Sequence, residues 1–536
     1  MNLSNEATQV TKPEKRKRSR FLNFGLRSLF VLVLVVAGAL AYLVPKIEEA
    51  NKEQETIDWL ASKGVPMGSN LLSGEFYYRF DYDYQIAEQG KNTNALQIKR
   101  AFTGSPQQRS PNGPWLIRKL FGEHVFSRVK SVGVVLVPHS DIADSFFKSL
   151  ESFRDLEKID VSDAAEITDL SHFTGFEKLR TLKLSQTDLK TLSNVESLEK
   201  LETLILERAK FDSLGKIDQL KDLKQLTLRD CSNLNSAKQL AKLNQLRTLH
   251  LTDNQLLNNY DFLKGMTGLT ELRIEAGYNN KIFDMSCLAN CKQLTTLTLS
   301  DFEEIENPEQ IRNLTKLKGL NLSGTHSLKS LDGFESLTKL QILYLHRNFF
   351  LQDISAIKVL EDLRELSLEF CLALDDLEPI SELAKLDTLK IGGSENLQNL
   401  KPIRNLNELS HLNLTFFRAL EDVSDIQSLN LRTFAMARCH KVGSLKALKH
   451  MTKLQRVKIE ECDGLKAMDG VGSQPKLNLV EVTNCYELTN VDSLAELANQ
   501  TTNKSPVISI NDCDQLPPES IDQLEEKLKN SKVTIR

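Results

Sequence analysis

From Leu156 onward the hydrophobic positions of the chain fall into one recurring frame, L-x-x-L-x-L. Its copies begin at Leu156, Leu179, Leu201, Leu223, Leu246, Leu269, Leu294, Leu317, Leu340, Leu363, Leu386, Leu409, Leu431, Leu454 and Leu477. Most intervals are 22 or 23 residues, and the longer ones after Leu269 and Leu477 point to local insertions. Alternation with a period of two inside each copy predicts a short strand, leucines on one side and residues such as Thr181, Lys183 and Ser185 on the other. A second apolar pair, Leu189 with Leu192 or Leu328 with Leu331, turns the chain back, and a stretch such as Leu198 to Leu201 leads into the next strand. No copy can bury its apolar side alone, so the copies must stack into a curved horseshoe with the strands on the concave face. Val132 to Val137 predicts an N-terminal capping strand, and Ile508 with Ile510 a further one. The solenoid is thus expected over 131–516. The remaining 517–536 reads as a cap, with a helix opened by Pro517-Pro518 and a last strand at Val533 to Ile535.

Upstream the pattern changes. Residues 1–27 carry Lys12, Lys15, Arg16, Lys17, Arg18, Arg20 and Arg27, and then Ser28 to Val44 contains no charge at all. This predicts a transmembrane helix over 28–44 that Phe21 to Leu26 can lengthen, with Arg27 snorkelling to the interface. The positive-inside rule places 1–27 in the cytoplasm as a basic tail and everything after Pro45 across the membrane, periplasmic or extracellular. Ala39-Leu40-Ala41 keeps a second outcome open, cleavage near Ala41 and secretion. Residues 45–130 predict a small α+β juxtamembrane domain: a helix over 46–64, a strand in which Phe76, Tyr78, Phe80, Tyr82 and Tyr84 alternate with polar residues, a mobile loop near 88–113, and a short helix from Pro114 to Gly122.

The formal net charge is −4, and with so basic a tail the rest of the chain is acidic, which argues against general affinity for nucleic acid. Cys231, Cys371, Cys439, Cys462, Cys485 and Cys513 each follow the last strand residue at a fixed offset that Asn254 and Asn348 occupy in other copies. That register predicts small side chains packed inside the turn rather than a disulfide or metal set. Cys287 and Cys291 stand outside it, and their C-x-x-x-C spacing leaves a disulfide open.

With this frame the chain resembles bacterial leucine-rich-repeat proteins, with a period close to that of the internalins. The resemblance covers roughly 130–536. It extends, more loosely, to proteins that place an anchor such as SLFVLVLVVAGALAYLV and a short juxtamembrane domain before the repeats. It implies an α/β leucine-rich-repeat solenoid that binds a protein or another ligand in the cell envelope.

No H-E-x-x-H, G-x-S-x-G or Walker loop is present, so no enzyme, cofactor or metal site is expected. Binding is expected instead, through the concave face and toward a protein or glycan. Phe370 and Phe416 share one column with Gly393 between them, and Tyr344 and His346 lie one copy earlier. Two rings about 10 Å apart across Gly392 and Gly393 would leave a slot for a partner side chain or a sugar. Arg273 and Glu275, with Glu271, add a charged stretch that could orient a partner. Two other readings stand beside this one: a structural scaffold or spacer of the envelope, and an enzyme regulator built on 65–130.

Overall fold

The computed structural model describes Glu48, Lys52, Glu75–Phe76, Ser131–Val135 and residues 147–535 apart from 149, 152, 154, 164, 278–280, 500–505, 530 and 532. The predicted anchor with Arg27, Ser28 and Val44, the juxtamembrane helices, the loop near 88–113 and most of the aromatic strand lie outside these residues. Among the described residues no helix is long and apolar enough to cross a membrane.

Parallel strands form a 19-stranded sheet, each coil pairing in register with the next. Leu182 pairs with Leu204, Leu204 with Leu226, and Leu226 with Leu249, and all are fully buried. Further along, Leu389, Leu412, Phe434, Val457, Val480 and Ile508 continue the same ladder. The alternate residues face the concave side because successive side chains in a strand point oppositely. Each coil returns along the convex side through a short segment with one buried anchor, such as Val195, Ile217, Ile357, Ile380, Ile403 or Leu448. These return segments are 3-10 turns and not the α-helices that an α/β class suggests. A coil of this length gives the return path only one or two turns, too few to nucleate an α-helix.

At the N-terminal end Ser131–Val135 pairs with Lys158–Ser162, and Glu75–Phe76 pairs in turn with Ser131 and Val132. At the other end a helix, Pro518–Leu528, buries Leu524 and Leu528 over the last coil, and Thr534–Ile535 adds the final strand. The long interval after Leu269 holds an extra strand, Ile282–Asp284, paired with Glu304–Glu306 outside the main sheet. Phe283 from this insertion packs between Tyr260 and Phe302, with ring centroids 5.2 and 5.3 Å away.

Candidate functional site

One backbone feature organises the edge where the concave strands end. Immediately after its strand, coil after coil turns through a residue with positive φ, among them Gln186, Arg208, Asp230, Asp253, Asp301, Arg347, Arg438, Glu461, Asn484 and Asp512. The turn is set by the next coil: the N–H of Arg347 donates to Glu369 O at 2.8 Å, and that of Arg438 to Glu460 O at 2.9 Å. An L-residue there costs about 1 kcal/mol, least for Asn, Asp and Gly and more for bulky side chains. Phe370 and Phe416 nonetheless occupy this position, with φ of 59° and 61°.

Between them sit Gly392 and Gly393, with φ of 149° and 88°. A Cβ on Gly393 would lie 2.5 Å from the Cα of Phe370, and one on Gly392 only 1.7 Å from Thr415 O. Because this coil presents no side chain at these two positions, groups two coils apart meet directly over them. Glu369 accepts hydrogen bonds at 3.0 Å from both Asn413 Nδ2 and Thr415 Oγ1. The rings of Phe370 and Phe416 lean together to a centroid distance of 6.2 Å, tilted by 44°. The expected slot of about 10 Å is therefore absent, since that spacing holds only for side chains standing perpendicular to the sheet. Arg418 then lies over the outer face of Phe416, its guanidinium carbon 4.9 Å from the centroid and Nη1 2.5 Å from Glu395.

Tyr344 pairs in register with Ser367, on the strand that precedes Phe370, and His346 lies two residues further along the Tyr344 coil. Lys390 Nζ is 5.8 Å from the Tyr344 centroid and 3.5 Å from Glu365. Burial, reinforced by Glu365, pushes the Tyr344 phenol up to about 12. His346 Nδ1 is 2.8 Å from Ser323 Oγ, and burial holds its imidazole below the usual histidine range. Arg273 and Glu275 pair with each other, Nε to Oε1 at 2.9 Å. They do not join the cluster: the register runs Arg273, Thr298, Asn321, Tyr344, about 14 Å of sheet.

The structure adds residues to this edge that lie outside the leucine frame. His326 stacks on Phe349 at 5.1 Å, Phe350 is 56% exposed and Leu372 is 44% exposed. The backbone of Ala373 bonds to Phe349 O at 3.1 Å, so these side chains form one apolar strip beside Phe370.

Residues 315–359 match the family described as Leucine Rich repeats, in two copies. Those residues are leucine-rich repeats, and the coils on either side of them pair in the same register. Its fold is similar to that of an internalin, the inlF product of Listeria monocytogenes, with TM-score 0.50 and 22% identity over 58% of this chain and 88% of that one. A leucine-rich-repeat protein of Leptospira interrogans matches with TM-score 0.50 and 19% identity over 80% of this chain and 93% of its own. TLR13 in complex with ssRNA13 matches with TM-score 0.50 and 17% identity over 73% and 63%. No curated relative matches the chain by sequence.

Within the repeats the position after the positive-φ residue points into the coil. Asn254 there donates to Leu228 O at 2.8 Å and accepts from the Cys231 backbone N–H at 3.0 Å. Cys231 and Cys371 at the same position direct their sulfurs to the carbonyls of Leu206, at 3.7 Å, and Leu345, at 3.2 Å. Burial pushes both thiols up to about 12. All eight cysteines are free, including Cys287 and Cys291, so the disulfide left open for that pair is not formed here.

Lys281, in the inserted strand region, is 6% exposed and donates to Asn254 O at 2.6 Å. Burial lowers its ammonium pKa to about 8, against the opposing pull of Asp253. Since the unfolded value is about 10.4, the unfolded chain holds more protons between these limits. The contribution of this lysine to stability therefore rises between about pH 8 and about pH 10 and falls away as pH drops through 8, a change of about 3 kcal/mol. Denaturant titrations across that range should show the slope in the parent chain and lose it in Lys281→Met; equal slopes would refute the assignment.

Proposed function

We propose that the chain is a single-pass, membrane-anchored binding protein whose leucine-rich-repeat solenoid recognises a protein through the edge around Phe370 and Phe416. Ser28 to Val44 would span the bilayer with Arg27 at the cytoplasmic boundary, leaving the solenoid on the opposite side. The observation that carries the binding reading is the pair of half-buried phenylalanines at a turn where most other coils use Asp, Asn, Gly or a charged residue. Aromatic side chains held against their backbone preference beside an exposed apolar strip have the make-up of an interface hot spot. Tyr344, His346 and Arg418 give it a polar rim. The closed ring pair favours apolar side chains laid across it over a sugar stacked between the rings.

The test joins topology to recognition. Intact cells or spheroplasts are shaved with protease and the exposed solenoid is cross-linked to what it holds. The Phe370→Ala, Phe416→Ala double variant should recover the same partner at least about tenfold less well, with the solenoid still folded. Undiminished recovery would return the solenoid to a scaffold role. Protection from protease, or release without the N-terminal segment, would defeat the anchor.

A further inference from the structure

One stretch of the solenoid has a charge balance unlike the rest. Between Asp425 and Glu460 the chain has eight Lys or Arg and no Asp or Glu, in a protein of net charge −4. This is one full coil and the strand that follows it, so the cations encircle the solenoid. Arg456 and Lys458 stand on a concave strand, while Lys446 opens a convex return turn and Lys449 closes it. The flanking coils extend the convex part. Ser428 Oγ donates to Arg404 O at 2.7 Å, and Ser473 Oγ to Lys449 O at 3.3 Å, which lines up Arg404, Lys449 and the coil that carries Lys476.

Arg404, Arg432, Lys446, Lys449, Lys453 and Lys476 are all exposed. Among the described residues none has a carboxylate within ion-pair distance, although Asp425 stands in the return turn one coil before Lys446. The cations that do pair, Arg438 with Glu461 and Lys458 with Glu460, belong to the concave side. Surface lysines elsewhere in the solenoid often pair across coils, as Lys385 does with Asp362 and Lys242 with Asp218. This belt lacks those partners.

We propose that the convex side of residues 404–476 adsorbs to an anionic phospholipid surface. The shape selects this over other polyanions: the unpaired cations sit on an outward curve and line no groove that could track a polymer. No large hydrophobic side chain between Asp425 and Glu460 is exposed, and the one phenylalanine there, Phe434, is fully buried, so the coil that carries most of the belt offers no phenyl ring for a nucleobase to stack on. The contact would be purely electrostatic, with each cation raising partition about fivefold and added salt reversing it. The inference is independent of the concave-edge reading and uses the anchor only as the means by which the chain is presented to lipid.

The full chain is reconstituted in vesicles of about one part phosphatidylglycerol to two of phosphatidylcholine, or of phosphatidylcholine alone, and its lysines are acetylated and read site by site by mass spectrometry. Lys446, Lys449, Lys453 and Lys476 should label about fivefold more slowly on the anionic vesicles and recover in about 0.5 M salt. Lys200 and Lys339, which hold the position of Lys453 in other coils, should not change. Equal labelling on both vesicles overturns the proposal, as does protection that appears on neutral vesicles only when a soluble polyanion is added. If the chain does not insert, co-flotation with the anionic vesicles alone supports it and flotation with neither overturns it. In either format the charge reversal Lys446→Glu, Lys449→Glu, Lys453→Glu should abolish the anionic preference.

Discussion

Gly392→Ala is expected to destabilise the solenoid by about 4 kcal/mol, near the upper end for a single substitution. The added methyl group would sit 1.7 Å from Thr415 O and 2.6 Å from the Thr415 carbonyl carbon, both backbone atoms of the next coil. No side chain can swing away to relieve this, and φ of 149° is open only to glycine. The coil at Thr388–Gly392 must therefore part from His411–Thr415, breaking a parallel pairing five residues long. Because a solenoid is held by nearest neighbours, the damage should stay local. Hydrogen exchange should show lost protection centred on Leu389 to Leu414, with the coils before Leu340 unchanged, and chemical denaturation should become two-step. The bonds from Asn413 and Thr415 to Glu369 would go, and the two rings would separate. A loss under about 1 kcal/mol, with exchange unchanged, would show that Gly392 is dispensable.

Asn254→Ala is expected to cost about 3 kcal/mol by a different route. Asn254 is 3% exposed and serves two backbone groups of the preceding coil, the Leu228 carbonyl and the Cys231 amide. Alanine leaves the Cys231 amide buried and unpaired and takes one donor from the Leu228 carbonyl, which keeps its place in the strand ladder, and the desolvation penalty at the amide exceeds the net worth of its bond. Asn254→Cys should recover part of the loss, because a cysteine at this position turns its sulfur to a carbonyl, as Cys371 does at 3.2 Å. Thermal unfolding of the three proteins checks the order parent, cysteine, alanine. If alanine matched the parent, the position would be a filler of space and not a bridge.

The repeat was legible because burial enforces it: every coil must supply the same inward leucines, and one polar residue in the ladder would disrupt two neighbours. The cysteine column was legible for the same reason, as a small inward position recurring in register, except at Cys513 in the last coil, which is only half-buried because no further full coil covers it. The candidate edge was legible in its members but not in its geometry. Phe370 and Phe416 do meet, yet counting rungs treats side chains as parallel and cannot foresee two rings closing over a pair of glycines. Arg273 and Glu275 were legible as a separate charged stretch, and the register sets them three strands from Tyr344. Phe350 and Leu372 escaped notice because they fall outside the leucine frame, where an apolar residue predicts nothing. Lys281 was hidden in an insertion, and its burial depends on Asn254 from the coil before. The basic belt was in plain view between Asp425 and Glu460, but a charge summed over the whole chain averages it away.

The positive-φ turn at the concave edge bears on how such a protein can change over generations. Its backbone is fixed by a carbonyl of the following coil, so the side chain it carries is free of any duty to the core. Asp, Arg, Gln, Glu, Asn, Gly and Phe all stand there in this one chain. Where the position is not one of the glycines, a mutation there alters what the molecule offers to a partner at a cost of about 1 kcal/mol, borne by a single coil. Recognition can thus be rewritten one coil at a time while the leucine ladder beneath it keeps its packing, and new specificity can arise without passing through an unfolded ancestor.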